Sequence, residues 1–479
     1  MQLVAVLLLI HAGPLIGIGV RSVAGLPGRQ ETAAGDDASS SGVGETLFLT
    51  PLIEAGDLEN AKSLSKVGPI GADIEVPSYA GYITVNPQLN SNLFFWFVPS
   101  LSDPENAPVV LWMQGGPGTS SLLGFFKEHG PYDLSEDGEH VKFRELTWAQ
   151  RYSMLYVDQP VGTGYSFTDS EAGYARNQTD VGRDMLEFVQ QFFTLFDELA
   201  QNEFYLSGES YAGKYVPTVG ATLHENADTM RVKINFRGIA FGNGLTDPIN
   251  MMGFGDFVYE IGLIDRNVAD HMLRVGRLAI DYLRAGRTLE AGMIADKLFF
   301  GVLDKDTLFK NATGFDYYYN YLITEDPPGM YAYKQFVQRP EIRRALHVGK
   351  QEFSTSRTRV AAYFAGDVMR SAVPQFTVVL ENGYKVLVYS GPLDICVPTV
   401  HTERFLSRVA WSHADRWALE SRNIWRSPDG KELYGYKKTV ENLSFVVVRN
   451  GGHVLAFDQP KPMFDLITAF IDETPPFDA

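Results

Sequence analysis

The sequence predicts an α/β protein with a mostly parallel sheet, and two observations carry that expectation. Six short apolar runs end in Gly, Pro or Asn, as buried strands do: residues 107–114 (APVVLWMQ), 153–160 (SMLYVDQP), 203–208 (EFYLSG), 234–244 (INFRGIAFGNG), 384–391 (YKVLVYSG) and 443–452 (LSFVVVRNGG). Between them, residues 181–199 (VGRDMLEFVQQFFTLFDEL) place apolar side chains at helical spacing with Arg and Asp in the first turn, the pattern of an amphipathic helix. Strands alternating with helices imply a sheet covered on both faces.

Residues 246–372 break this rhythm. They are helical and strand-poor, with an aromatic patch, FDYYYNYL, at 315–322, and read as a helical insertion above the sheet. The expected core is therefore 47–245 together with 373–479. At 479 residues the chain exceeds the usual single-domain size, and one domain with an insertion or two domains both fit that length.

A content of 45% hydrophobic and 13% aromatic residues excludes wholesale disorder. The formal charge of -17 argues against nucleic acid or an anionic membrane as the main partner. Residues 3–20 form an apolar run followed by Ser22-Val23-Ala24, so 1–24 reads as a signal peptide. Residues 25–46, rich in Gly, Ser, Ala and Asp, read as a disordered mature N-terminus or propeptide. No later run is long enough to span a membrane, so the expected destination is the secretory pathway: outside the cell, or a lysosomal or vacuolar lumen. Sequons at Asn177, Asn311 and Asn442 agree with that route. The single cysteine, Cys396, leaves no intrachain disulfide to form. An oligomeric state is not legible, and a homodimer is compatible with the sequence.

Chemistry concentrates at the ends of the strands. Gly208-Glu209-Ser210-Tyr211-Ala212-Gly213 follows a strand and opens a helix, the setting of a nucleophile elbow, although Ala212 stands where G-x-S-x-G has its second glycine. Asp394 and His453 end two later strands in the order in which an acid and a histidine follow an elbow serine. A serine hydroxyl is a weak nucleophile at neutral pH; a histidine base and an acid to orient it supply the activation. The glycines of "QGGPG" (114–118) lack the Lys of a phosphate loop and suit an oxyanion hole, in which the N–H groups of Gly116 and Tyr211 converge on one oxygen. His224-Glu225 lacks the second histidine of H-E-x-x-H, and no metal or cofactor is expected.

In order and spacing, "VLWMQGGPGTSSLLGFFKEHGPY", "SMLYVDQPVGTGYSFT", "FYLSGESYAGKYVP", "LVYSGPLDICVP" and "GGHVLAFDQP" resemble the serine carboxypeptidases, most closely the vitellogenic and vitellogenic-like enzymes of animals. The resemblance implies an α/β-hydrolase core with an inserted helical cap, and peptide C-termini as substrate. It also implies that Gln114, Gly115, Glu128 and Glu209 bind the terminal carboxylate. Without it, Glu128 reads as an exposed helix acid. Two carboxyls facing a third cannot all be ionised, so binding is expected to favour acid pH. Gln114 and Thr119 stand where many members carry Asn and Cys, and the missing cysteines remove disulfides that commonly brace the cap. Rival expectations are an acyltransferase on the same scaffold and a non-catalytic storage or partner-stabilising protein.

Overall fold

The computed structural model describes residues 42–473. The expected signal peptide lies outside the described residues, as does most of 25–46. Of the remainder, Thr46 already bridges Val348, and the Leu47 N–H donates to the His347 carbonyl at 3.0 Å, so the chain is tied to the body from Thr46 onward.

Ten strands form the main sheet: β1 (Tyr79–Asn86), β2 (Ser91–Val98), β3 (Val109–Met113), β6 (Ser153–Val157), β7 (Phe204–Glu209), β8 (Phe236–Gly242), β9 (Lys385–Ser390), β10 (Asn423–Arg426), β11 (Leu433–Val440) and β12 (Leu443–Val448). β4 (Tyr132–Leu134) and β5 (Val141–Phe143) pair separately. Across the sheet the order is β1-β2-β6-β3-β7-β8-β9-β12-β11-β10. From β6 to β12 every neighbouring pair is parallel, and antiparallel strands flank this block on both sides. The six runs picked out in the sequence are these six parallel strands. A mostly parallel sheet in this order, with helices between its strands, is the architecture of an α/β-hydrolase.

β2 shows why an all-apolar strand belongs here. Its side chains alternate between faces with the period of two that a pleated strand imposes. Phe95 and Phe97 meet Phe192 of helix α1 (Gln178–Leu195) at 6.1 and 5.1 Å between ring centroids, while Trp96 stacks on Phe125 at 4.0 Å on the opposite face. Both faces are covered, so no position of β2 faces water. The Asn177 side-chain oxygen accepts from the Asp180 N–H and caps α1, while Asp180 sits in its first turn beside the positive end of the helix dipole.

Helix α2 (Ala212–Glu225) contains Pro217, whose missing N–H deprives the Gly213 carbonyl of its helical partner. The Thr246 hydroxyl supplies that bond at 3.0 Å. Between β8 and β9 run helices α3 (Phe254–Glu260), α4 (Arg266–Arg284) and α5 (Thr288–Ala295), then short helical turns, and no named strand, before α6 (Val373–Glu381) returns the chain to the sheet. The aromatic patch at 315–322 is not helical but irregular chain that ends in a turn. Helix α7 (Pro460–Ile471) closes the chain on the sheet.

Phe192 is fully buried in the seam between α1 and β2. Phe192→Ala is expected to cost about 3–5 kcal/mol of unfolding free energy, since the rings around it cannot all collapse into the space. Urea denaturation of the variant checks this.

Candidate active site

β3 and β7 are neighbours; the chain leaves β3 toward β6 and leaves β7 toward β8, so the two connections run to opposite edges, the place where open α/β sheets carry a site at the carboxyl ends of their strands. Ser210 follows β7 directly. Its φ of 66° is in the left-handed region, a strained conformation for a residue with a Cβ. Small neighbours make this turn possible. A Cβ on Gly208 would stand 2.6 Å from the Ala212 Cβ, so the glycine at 208 makes room for alanine in the fifth place of the motif. The late glycine, Gly213, packs against the Gly244 backbone, where a Cβ would lie 2.6 Å from its Cα.

The glycine-rich loop after β3 presses on the same turn. A Cβ on Gly115 would sit 2.7 Å from the Ser210 Cβ and would also strike the Tyr211 nitrogen. Gly116 and Tyr211 are thereby brought together, and among the described residues neither N–H donates to a protein acceptor. The loop is braced by Asp158, which accepts from the Ser120 hydroxyl at 2.6 Å and from the N–H groups of Ser121 and Tyr165 at 3.0 and 2.9 Å. Burial pushes the Asp158 carboxyl up to about 7.

Asp394 is completely buried and fully engaged. Oδ1 accepts the N–H groups of Cys396 and Val397 at 2.7 and 3.1 Å; Oδ2 accepts the Asn243 amide at 2.6 Å and pairs with His453 Nδ1 at 2.7 Å. His453 Nε2 is buried without a protein partner and lines one cavity with Ser210, Gln114 and Glu209. Hydrogen bonds of this catalytic kind commonly close only with substrate in place. The insertion reaches in as a strap. Tyr319 stacks on the imidazole at 4.6 Å and 16°, and its carbonyl accepts the His453 N–H at 2.6 Å. The Tyr318 carbonyl accepts from Ile395 at 3.3 Å, and the Tyr321 N–H donates to Leu393 at 3.0 Å.

Glu128, the expected exposed acid on sequence alone, is buried in a short turn at Gly124–Glu128, as is Glu209 beside Ser210. Glu209 accepts from the Gln114 amide at 2.9 Å and the Leu455 N–H at 3.2 Å; the Gln114 carbonyl oxygen accepts from the Trp112 indole at 3.0 Å. Among the described residues no N–H donor reaches either Glu128 oxygen, and its carboxyl faces that of Glu209. Protonation of either carboxyl would let it donate to the other. Burial pushes Glu128 up to about 8, and burial with the neighbouring Glu128 charge pushes Glu209 up strongly. As two anions the pair would be unsatisfied and self-repelling.

Sequence reasoning missed Asn243, Asp158, Tyr319 and Arg357. Asn243 sits within the quoted "AFGNG" strand end, and its φ of 47° was the one available signal, visible only in three dimensions. Arg357 donates to the Gly116 carbonyl at 2.7 Å from the insertion. Among the sequons, Asn177 is half-buried at the start of α1 and Asn311 is exposed within the short helix Leu308–Thr313, whereas the Asn442 amide donates both hydrogens, to the Leu380 and Tyr384 carbonyls at 2.8 and 2.7 Å. A glycan at Asn442 would cost one of those bonds.

Two outcomes are expected. Asn243→Ala removes one hydrogen bond to a buried carboxylate, worth about 1.5–3 kcal/mol, so kcat should fall about 10- to 150-fold in steady-state assays with KM little changed. The raised folded-state values of Glu128 and Glu209 favour the protonated, folded protein: their contribution to stability is complete below the ordinary glutamate range and is lost as pH rises toward about 8. Thermal melts should therefore show Tm falling over that interval, and Glu128→Gln should flatten the fall.

Comparisons with known proteins agree with one another. A family profile described as serine carboxypeptidase matches residues 69–473. The chain is 43% identical to the venom serine carboxypeptidase of Apis mellifera over 429 residues, covering 89% of this chain and 91% of that protein. It is 43% identical over 431 residues to the probable serine carboxypeptidase CPVL of Homo sapiens, covering 89% and 90%, and 40% identical to the vitellogenic carboxypeptidase of Aedes aegypti with the same coverages. Among solved structures, the prohormone-processing carboxypeptidase Kex1 of Saccharomyces cerevisiae superposes with a TM-score of 0.72 at 20% identity, covering 86% of this chain and 96% of that one, a likeness of fold. The chain belongs to the serine carboxypeptidase family and is a serine-type carboxypeptidase of peptide substrates.

Proposed function

We propose that this carboxypeptidase works through an acyl-enzyme on Ser210, with His453 as base and acid and Asp394 as its orienting partner. The Ser210 oxygen attacks the carbonyl carbon of the last peptide bond while its proton passes to His453 Nε2. The N–H groups of Gly116 and Tyr211 hold the oxygen that gains charge. The C–N bond then breaks as His453 returns the proton to the leaving amine, releasing the terminal amino acid. Water, deprotonated by the same imidazole, hydrolyses the ester and restores Ser210.

The observation that carries this reading is the buried cluster of Gln114, Glu128 and Glu209 lying beside Ser210 and His453. A shared proton lets two carboxyls accept a third, that of the substrate's end; Gly115 lies in the same cavity wall. Recognition of a chain terminus therefore depends on protonation, and the acid range is favoured. We place the enzyme in the secretory pathway, secreted or in a lysosomal or vacuolar lumen, with glycans at Asn177 and Asn311 and the more constrained Asn442 as the third acceptor. Among the described residues no helix is long and apolar enough to cross a membrane.

Release of C-terminal amino acids from a blocked dipeptide at about pH 5 tests the mechanism. Ser210→Ala should lower kcat by about 10⁴-fold or more in a correctly folded protein; retained turnover would remove Ser210 from the reaction. With the peptide acid as substrate, KM should rise as pH climbs toward about 8, the range in which Glu128 loses its proton, whereas the C-terminal amide should bind poorly throughout. Equal rates for acid and amide at acid pH would overturn the carboxylate pocket.

A further inference from the structure

A chain end held at Gln114 and Glu209 has one blind side, and the rest of the peptide must leave by another. Next to the cavity of Ser210 lies a second one, of about 400 Å³, open to solvent and built entirely from the insertion. The two share a wall: Phe300, Tyr318, Tyr319 and Arg357 line both. None of Gln114, Gly115, Glu128 and Glu209 lines the second cavity; it meets the cavity of the carboxylate pocket only through Tyr319 and Arg357, which line both.

Its lining is chemically distinctive. Phe315 and Tyr331 add further aromatic surface, and both are only partly buried; of the charged lining residues Lys310 and Asp316 pair with each other, and Lys305 and Asp326 complete the polar part of the wall. Arg357 stands at the junction. One of its nitrogens donates to the Gly116 carbonyl at 2.7 Å, another lies 3.5 Å from the Tyr318 hydroxyl, and among the described residues no carboxylate comes within 4.0 Å of it. A guanidinium has five N–H donors, so Arg357 keeps donors for oxygen acceptors in the cavity. Aromatic walls with a spare cation suit an extended peptide: its carbonyl oxygens on the guanidinium, its apolar side chains against the rings.

We propose that this cavity binds the substrate segment upstream of the penultimate residue, and that it selects chains carrying an aromatic side chain there. The inference rests on the placement of Ser210 and the carboxylate pocket given above. It makes the protein an enzyme for longer peptides in preference to dipeptides. The insertion thus supplies binding surface as well as a roof.

The test compares a blocked dipeptide with peptides sharing its last two residues and extended by three, carrying either Phe or Gly in the added segment. For the wild type, kcat/KM should be about tenfold higher for the Phe peptide than for the Gly peptide, the size expected of one buried aromatic contact. In Phe315→Ala and Tyr331→Ala, each normalised to its own dipeptide rate, that ratio should fall toward one. No Phe preference in the wild type, or a preference that survives both substitutions, would overturn the proposal. Calorimetric binding of the same peptides to the Ser210→Ala protein reads the cavity without turnover: a Phe preference there, lost with Phe315→Ala, supports the site even if dipeptide hydrolysis fails, and its absence rejects the site independently of the mechanism.

Discussion

A carboxylate with no exposure to water must be given hydrogen bonds by the protein, and Asp394 is such a group. Its four donors come from three separate places: the turn after β9 itself, Asn243 at the end of β8, and His453 beyond β12. None of these can shift without stranding a buried charge. The parallel order β8-β9-β12 is what brings the three loops to one edge of the sheet, so topology and electrostatics solve the same problem. The opposite side of the crevice follows a similar rule, with Asp158 binding the glycine-rich loop through Ser120, Ser121 and Tyr165.

The two wings of the site treat their acids differently. Asp394 is saturated with donors. Glu128 has no donor among the described residues and Glu209 has two, and the carboxyls face each other, so desolvation pushes both up and favours a proton on the pair. The roles proposed for them, orienting an imidazole and recognising a carboxylate, call for one acid of each kind. Burial alone does not distinguish them; the count of N–H groups within reach does.

Much of this was legible in the chain because it is written in local patterns. Apolar runs ended by Gly, Pro or Asn marked the six parallel strands, and the elbow around Ser210 followed from small residues between a strand and a helix. The edge strands β10 and β11 escaped, since mixed residues such as those of "LYGYKKTV" carry no continuous apolar signal, whereas β2 was passed over although its run LFFWFV does carry one. Without the family resemblance Glu128 reads as exposed, because the turn that carries it is packed by β4 and held by Arg144, which donates to the Phe126 carbonyl, and neither contact leaves a local pattern. Asn243 and Tyr319 were invisible for the same reason. Each acts through a partner more than a hundred residues away, and spacing carries no information at that range.

The strap from Tyr318 to Tyr321 holds the loops of Asp394 and His453 largely through main-chain bonds, with the Tyr319 ring as its one stacking contact on the imidazole. Main-chain bonds are indifferent to side-chain identity. The residues around Tyr319 that face the outer cavity can therefore change while the loops beneath stay clamped. On the proposal that the outer cavity binds peptide, preference and chemistry are carried by different atoms of one segment, and a lineage can explore new diets of peptide without first loosening the loops of Asp394 and His453.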